Sequence, residues 1–319
     1  MSDDYLFDKQ GSDAEIEGLE RLLGGYKHDE PLREPIRRSR RRPALIGGAI
    51  AMVCAAAAAI FVLRDKPRTA CSGTEGMAFS VVQGTAQCGG GAVAERGVVP
   101  TGGWLETAKD SVLDVAIAKI GTVTVYGDSR VQLVGTGTNE HRLALASGHI
   151  SAKVKAPPRL FVIETPTSTA VDLGCAYDLV VDSVGSHLTV TFGAVSLEGK
   201  PYGAYVPRGV TVLSRPGRGV GVPVATDAEP AMKDAVARFD NGEHSAAQVI
   251  ALHATMHDIV TLWHLVSRTV GPDRAIVVGV LAKLVPIPLD YERSDMIAGN
   301  PAAIEEWRDN VMWQWQLDN

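Results

Sequence analysis

The sequence predicts a mainly β domain, built as an antiparallel sandwich or short β-solenoid, joined to one membrane-spanning helix and a small helical C-terminal unit. Three observations predict it. Ala44 to Leu63 (ALIGGAIAMVCAAAAAIFVL) holds twenty residues without a charge. From Ala78 to Glu198, apolar and polar residues alternate with period two in short runs rich in Val, Leu, Ile and Thr. After Pro223 the apolar spacing becomes helical. The organisation that follows is a tail over 1–43, the span over 44–63, a stalk over 64–76, the β domain over 77–216 and the helical unit over 217–319.

The tail opens with one amphipathic helix. Ser12 is placed to cap it, with Glu15 completing a capping box, and Gly24-Gly25 ends it. Ile16, Leu19, Leu22 and Leu23 recur at helical spacing. A lone helix of this size cannot bury such a stripe by itself, so the stripe is expected to meet a partner or a membrane surface, or to belong to a marginal helix. A Pro- and Arg-rich linker over 27–43 then leads to the uncharged run, which as a helix spans roughly 30 Å, the thickness of a hydrocarbon core. Within it, Gly47, Gly48 and Ala51 with Cys54 and Ala55 give a small-residue face suited to helix contact in lipid. Arg37, Arg38, Arg40, Arg41 and Arg42 crowd its N-terminal flank, against Arg64, Lys66 and Arg68 on the other. Basic residues stay in the cytoplasm, which places the N-terminus inside and the residues beyond the span outside. More than 40 residues precede the run, too many for a cleaved leader.

Strands are expected at Ala78–Gln83, Val112–Ile120, Thr122–Tyr126, Arg130–Val134, Arg142–Ala146, His149–Lys155, Leu160–Glu164, Tyr177–Asp182, His187–Phe192 and Ala194–Glu198, separated by Gly, Asp-Ser, Thr-Gly-Thr-Asn and Pro-Pro breaks. The glycines of Pro216–Pro223 (PGRGVGVP) read as a closing turn, because no helix follows them directly. Helix one carries Met232, Ala235, Val236 and Phe239. A longer second helix carries Val249, Leu252, Met256, Ile259, Val260, Trp263 and Val266. The third, with Ile276, Val277, Val280, Leu281 and Leu284, lies between Pro272 and Pro286. Asn300-Pro301 caps and begins a fourth, bearing Ile304, Trp307, Val311 and Trp315.

Three cysteines beyond the span would face an oxidising compartment. Cys71 and Cys88 flank the first strand and are the expected disulfide, leaving Cys175 buried in a strand. No catalytic motif, phosphate loop or C-x-x-C pair is present. Cys175 with His149 or His187 reads as core rather than a nucleophile pair. His253, His257 and His264 share one face of the expected second helix, yet no further ligand completes a metal site. Trp307, Trp313 and Trp315 read as bundle packing, with an interface patch as the alternative. No enzyme activity, cofactor or metal is therefore expected. The net charge of −6 gives no support for nucleic-acid binding.

The β region resembles a FecR domain over about Phe79 to Pro216. The features, in order, are Gly102-Gly-Trp-Leu-Glu-Thr107, the alternating Ser111–Val115, IGTVTVYGDSRVQL from Ile120 to Leu133, Leu145-Ala-Ser-Gly148-His-Ile150, Phe161-Val-Ile-Glu-Thr165-Pro166, AVDLGCAY from Ala170 to Tyr177, and Val190, Gly193 and Val195. Cys175 stands where the family pattern has threonine. The resemblance implies an exported sensor in a membrane-anchored, anti-sigma-factor-like regulator. It also implies that the cytoplasmic stripe of Ile16, Leu19, Leu22 and Leu23 binds an extracytoplasmic-function sigma factor. An envelope protein outside and membrane lipid complete the expected partners. The alternative is a non-enzymatic envelope scaffold or interaction protein, whose tail is only an anchor.

Overall fold

The computed structural model describes residues 71, 75–93 and 95–318. Residues 65–319 group as one compact unit. Its strands form two antiparallel layers. The first layer runs, in spatial order, β4 (Arg96–Val99), β1 (Met77–Gln83), β6 (Val112–Ile117), β7 (Gly121–Val125), the second half of β9 (His141–Val154), β12 (Ala176–Val181), β13 (Ser186–Phe192) and β16 (Val210–Arg215). β17 (Gly219–Val220) and β18 (Val224–Ala225) pair with the outer side of β16. The second layer runs β3 (Gly91–Ala92), β2 (Ala86–Cys88), β5 (Trp104–Thr107), β8 (Arg130–Thr136), the first half of β9, β10 (Phe161–Glu164), β11 (Thr169–Asp172), β14 (Ala194–Glu198) and β15 (Ala204–Pro207). The β9–β10 pairing is parallel and the rest are antiparallel.

Period two buries one face of each layer. Leu113, Val115 and Ile117 of β6, Tyr177 and Leu179 of β12, Leu143 and Leu145 of β9, and Val195 and Leu197 of β14 join one apolar core. The layers are covalently joined by β9. The sequence reading separated Arg142–Ala146 from His149–Lys155 at Gly148, but the backbone crosses as one strand. Gly148 sits at φ +98°, a region closed to most L-residues, and lets the strand change layers without a loop. Other expected strands shift at their ends; β6 stops at Ile117 because Ala118 (φ 44°) opens the hairpin into β7.

The corners are held by buried hydroxyls. Thr107 Oγ1 donates to Tyr126 O (2.5 Å) and accepts from Ser129 N (2.9 Å). Ser129 Oγ accepts from His149 N (2.9 Å) and donates to His149 O (3.2 Å). At the β10–β11 turn, Ser186 Oγ lies 2.9 Å from Thr165 Oγ1 and 2.7 Å from Thr167 Oγ1, while Ser214 Oγ donates to Thr167 O at 3.0 Å. Each clasp ties one layer to the other. Removing a hydroxyl there strands buried partners at about 1–3 kcal/mol.

The helices are α1 (Pro230–Asp240), α2 (Ala246–His253), α3 (Ile259–Arg268), α4 (Gly271–Leu284), α5 (Arg293–Ala298) and α6 (Pro301–Asp318). The expected second helix is two. Thr255 interrupts it: its Oγ1 accepts from His257 N, and Asp258 Oδ2 accepts from Thr255 N, so a capping box starts a new helix. Val249 and Leu252 consequently face outward, Leu252 at 76% exposure. The sequence reading passed over α5, opened by a second capping box from Glu292 and Asp295. Asn300 Oδ1 accepts from Ala302 N (3.1 Å), capping α6 where the Asn-Pro pair placed it.

Candidate functional site

The tail residues Ile16, Leu19, Leu22 and Leu23, the basic residues Arg37, Arg38, Arg40, Arg41 and Arg42, and the run Ala44–Leu63 lie outside the described residues. Among the described residues no helix is long and apolar enough to cross a membrane. Cys71 and Cys88 form a disulfide with Cα atoms 5.7 Å apart. Cys175 is free and buried just ahead of β12, not within it. Its Sγ donates to Asp172 Oδ2 at 2.8 Å, the donor role a threonine hydroxyl could fill. Burial, and then the Asp172 carboxylate, push the thiol far above its ordinary range, which disfavours the thiolate that a nucleophile needs. Asp172 is itself raised by burial. The phenol of Tyr177, fully buried close by, has no hydrogen-bond partner among the described residues. His149 and His187 do not approach this group; they pair with Asp178 (3.2 Å) and Asp182 (3.7 Å).

The three helix histidines do not share a face, because the helix break separates them. His253 ends α2, His257 bonds Asp227 (2.6 Å), and His264 is buried in α3. No metal-holding group of three occurs among the described residues. The tryptophans also part company. Trp307 is buried and donates to Pro286 O (2.9 Å), Trp315 is buried and donates to Arg208 O (3.0 Å), and Trp313 is exposed.

What brings these residues into one system is the end of the sandwich. Among the described residues, β15 pairs only with β14, and β17 and β18 only with β16, so each layer ends on an edge with unpaired backbone groups. Helix α3 covers both edges. Thr261 Oγ1 donates to Pro223 O (2.8 Å), and Arg268 donates to Val220 O (3.0 Å) and Gly203 O (2.9 Å). His264 Nε2 lies 3.0 Å from Tyr205 O, which only accepts, so this nitrogen carries the proton. Burial holds the His264 pKa well below the ordinary imidazole range, with Arg268 adding to the effect. The polar residues of a helix buried almost all round are thus donors to sheet-edge carbonyls.

A cleft of about 230 Å³ opens beside this seam, lined by Tyr202, Arg215, Arg218, Asp240, His244 and Arg268, among others. The last residue of α1, Asp240, accepts from Val222 N with both oxygens (3.0 and 3.2 Å). Arg215 Nη1 stands 4.0 Å from Asp240 Oδ2, and Arg218 Nη1 donates to the Asp240 carbonyl (3.3 Å). Gly221 makes room for that carboxylate; a Cβ there would lie 2.2 Å from Oδ2. Burial raises the Asp240 pKa, against the pull of Val222 N–H, Arg268 and Arg215. Arg268, 9% exposed, is pushed down to about 10 by burial, and its guanidinium lies 5.3 Å from the Tyr202 ring centroid. The glycine run Pro216–Pro223, read from the sequence as a closing turn, supplies Arg218, Gly219, Val220 and Gly221 to this cleft, while Arg215 comes from β16 and Arg268 from α3.

Residues 104–196 match the FecR family model, FecR protein. The FecR segment begins at β5 and ends within β14, and it contains Thr107, Ser129, Gly148, Thr165 and Ser186 of the corners. The edge-covering helices and the cleft lie outside it. No curated protein matches the chain. Two crystal structures of a protein provisionally described as an anti-sigma factor from Parabacteroides distasonis, at 2.50 and 1.65 Å resolution, each show 10% identity and a TM-score of 0.34. Each match covers 42% of this chain and 64% of the solved one, so the chain spans under two thirds of that protein's length.

Proposed function

We propose that this chain is a single-pass membrane regulator, with a FecR-type sensor outside the cytoplasm and an N-terminal helix that binds an extracytoplasmic-function sigma factor. The observation that carries the reading is one chain holding both the FecR match and, ahead of it, the uncharged Ala44–Leu63 run with its arginine-rich flank. Cys71 and Cys88 support the exported orientation, because a disulfide persists in oxidising compartments. The buried, proton-retaining Cys175 and the histidines bonded to carboxylates or carbonyls support a non-enzymatic role. The stripe of Ile16, Leu19, Leu22 and Leu23 is the surface we assign to the sigma factor.

Signalling across one span requires a coupling free energy between the two sides. A helix of that kind supplies it by moving, by changing its association, or by exposing the chain to proteolysis. Two measurements test the reading. Alkaline phosphatase fused to the C-terminus should be active only if that end is exported. Immobilised residues 1–42 should capture a sigma factor, and Leu19→Asp with Leu22→Asp should abolish capture. A phosphatase fusion that is made but inactive, or no capture of any sigma factor at micromolar concentration, refutes the proposal.

A further inference from the structure

The geometry points to the Arg215–Arg218–Arg268 cleft as a binding site for an oxyanion group, a carboxylate or phosphate, carried by a small ligand. This inference stands apart from the regulatory reading and does not depend on which side of a membrane the domain faces.

Charge is the first ground. Three guanidinium groups and one carboxylate line the cleft, leaving an excess of two positive charges in a recess of about 230 Å³. The one carboxylate offsets only one of the three cations. Asp240 is bound through both oxygens to Val222 N–H and reaches Arg215 only at 4.0 Å. The C-terminal end of α1 adds partial negative charge, which Arg218 meets by donating to the Asp240 carbonyl. That single bond leaves most of the donor fork of Arg218 open.

Arg268 is the second ground. It is nearly buried, yet its hydrogen bonds go to two neutral carbonyls, Val220 O and Gly203 O. Among the described residues no carboxylate lies within ion-pair distance of it. Its nearby counter-charge, Asp240, acts from beyond ion-pair distance and is shared with Arg215; a buried cation so incompletely compensated is expensive, and an anion in the adjoining cleft would relieve it. Guanidinium forks match the planar oxygens of carboxylate and phosphate. Tyr202 beside Arg268, and Phe239 with His244 packed edge-on (5.6 Å), give the same recess an aromatic wall for the rest of the ligand.

The test uses the full-length chain in detergent, with inorganic phosphate as the probe and chloride at matched ionic strength as the reference. Thermal unfolding followed by tryptophan fluorescence should show a saturable rise in Tm with phosphate and none with chloride, as expected when a ligand binds only the folded state. Arg218 is exposed, so Arg218→Gln should fold with an unchanged ligand-free Tm while weakening phosphate binding by roughly tenfold, the loss of one charged hydrogen bond. Arg218→Lys, which keeps the charge, should recover part of the affinity. Equal Tm curves in the two salts up to about 10 mM, or phosphate binding unaffected by both Arg218→Gln and Arg215→Gln, would overturn the assignment.

Discussion

Gly148→Ala should be among the most damaging single-methyl changes in the protein. A Cβ at this position would lie 2.2 Å from Ser129 Oγ and 2.4 Å from Ser129 Cα. The second contact is with backbone and cannot be relieved by rotating a side chain. Holding a non-glycine residue at φ +98° adds about 1–2 kcal/mol. Displacing Ser129 breaks its paired hydrogen bonds to His149, about 1 kcal/mol each. The expected loss is therefore about 3–4 kcal/mol, read as a lower urea midpoint with an unchanged slope. A double-mutant cycle checks the cause. Ser129→Ala alone removes the same bonds at about 2 kcal/mol, so the double variant should fall short of the sum by about that amount. If Gly148→Ala stays within about 0.5 kcal/mol of wild type, or the two effects simply add, β9 does not cross between layers in the way described.

Three further outcomes are expected. Because the His264 pKa is depressed in the fold, the unfolded chain binds the proton first as pH falls below the ordinary imidazole value. Stability should drop by up to about 1.4 kcal/mol per pH unit below about 6.5; His264→Gln should flatten that part of the urea-midpoint profile, while the raised Asp172 and Asp240 contribute equally to both curves. Trp307→Ala, emptying a fully buried site, should lower stability by about 3–5 kcal/mol, and Trp313→Ala by no more than about 0.5, in the same denaturation assay. Reducing the Cys71–Cys88 bridge, which closes a separation of 17 residues, should cost about 3 kcal/mol; a thiol reagent should modify Cys175 only on unfolding, as mass spectrometry would show.

The part of the fold legible in the sequence is the part governed by local chemistry. Alternation in stretches such as Val112–Ile117 and Ser186–Phe192 predicts strands because a pleat exposes one face and buries the other. Asn300-Pro301 predicts the start of α6 because cap and N1 preferences act within a few residues. The corner hydroxyls Thr107, Ser129 and Thr165 were visible as pattern positions, though what they bond was not.

Tertiary structure decided the remainder. Gly148 reads as a break in any single strand; only the opposing Ser129 shows it to be a crossing. Thr261, His264 and Arg268 look like the polar face of an amphipathic helix, and His253, His257 and His264 like one chelating stripe. They are otherwise, because Thr255 splits the helix and because carbonyls of Gly203, Tyr205, Val220 and Pro223 await donors at the sheet edge. A sequence records which side chains can donate a hydrogen bond. Where an unpaired acceptor will lie depends on which strands end up outermost, and that is settled only when the two layers close.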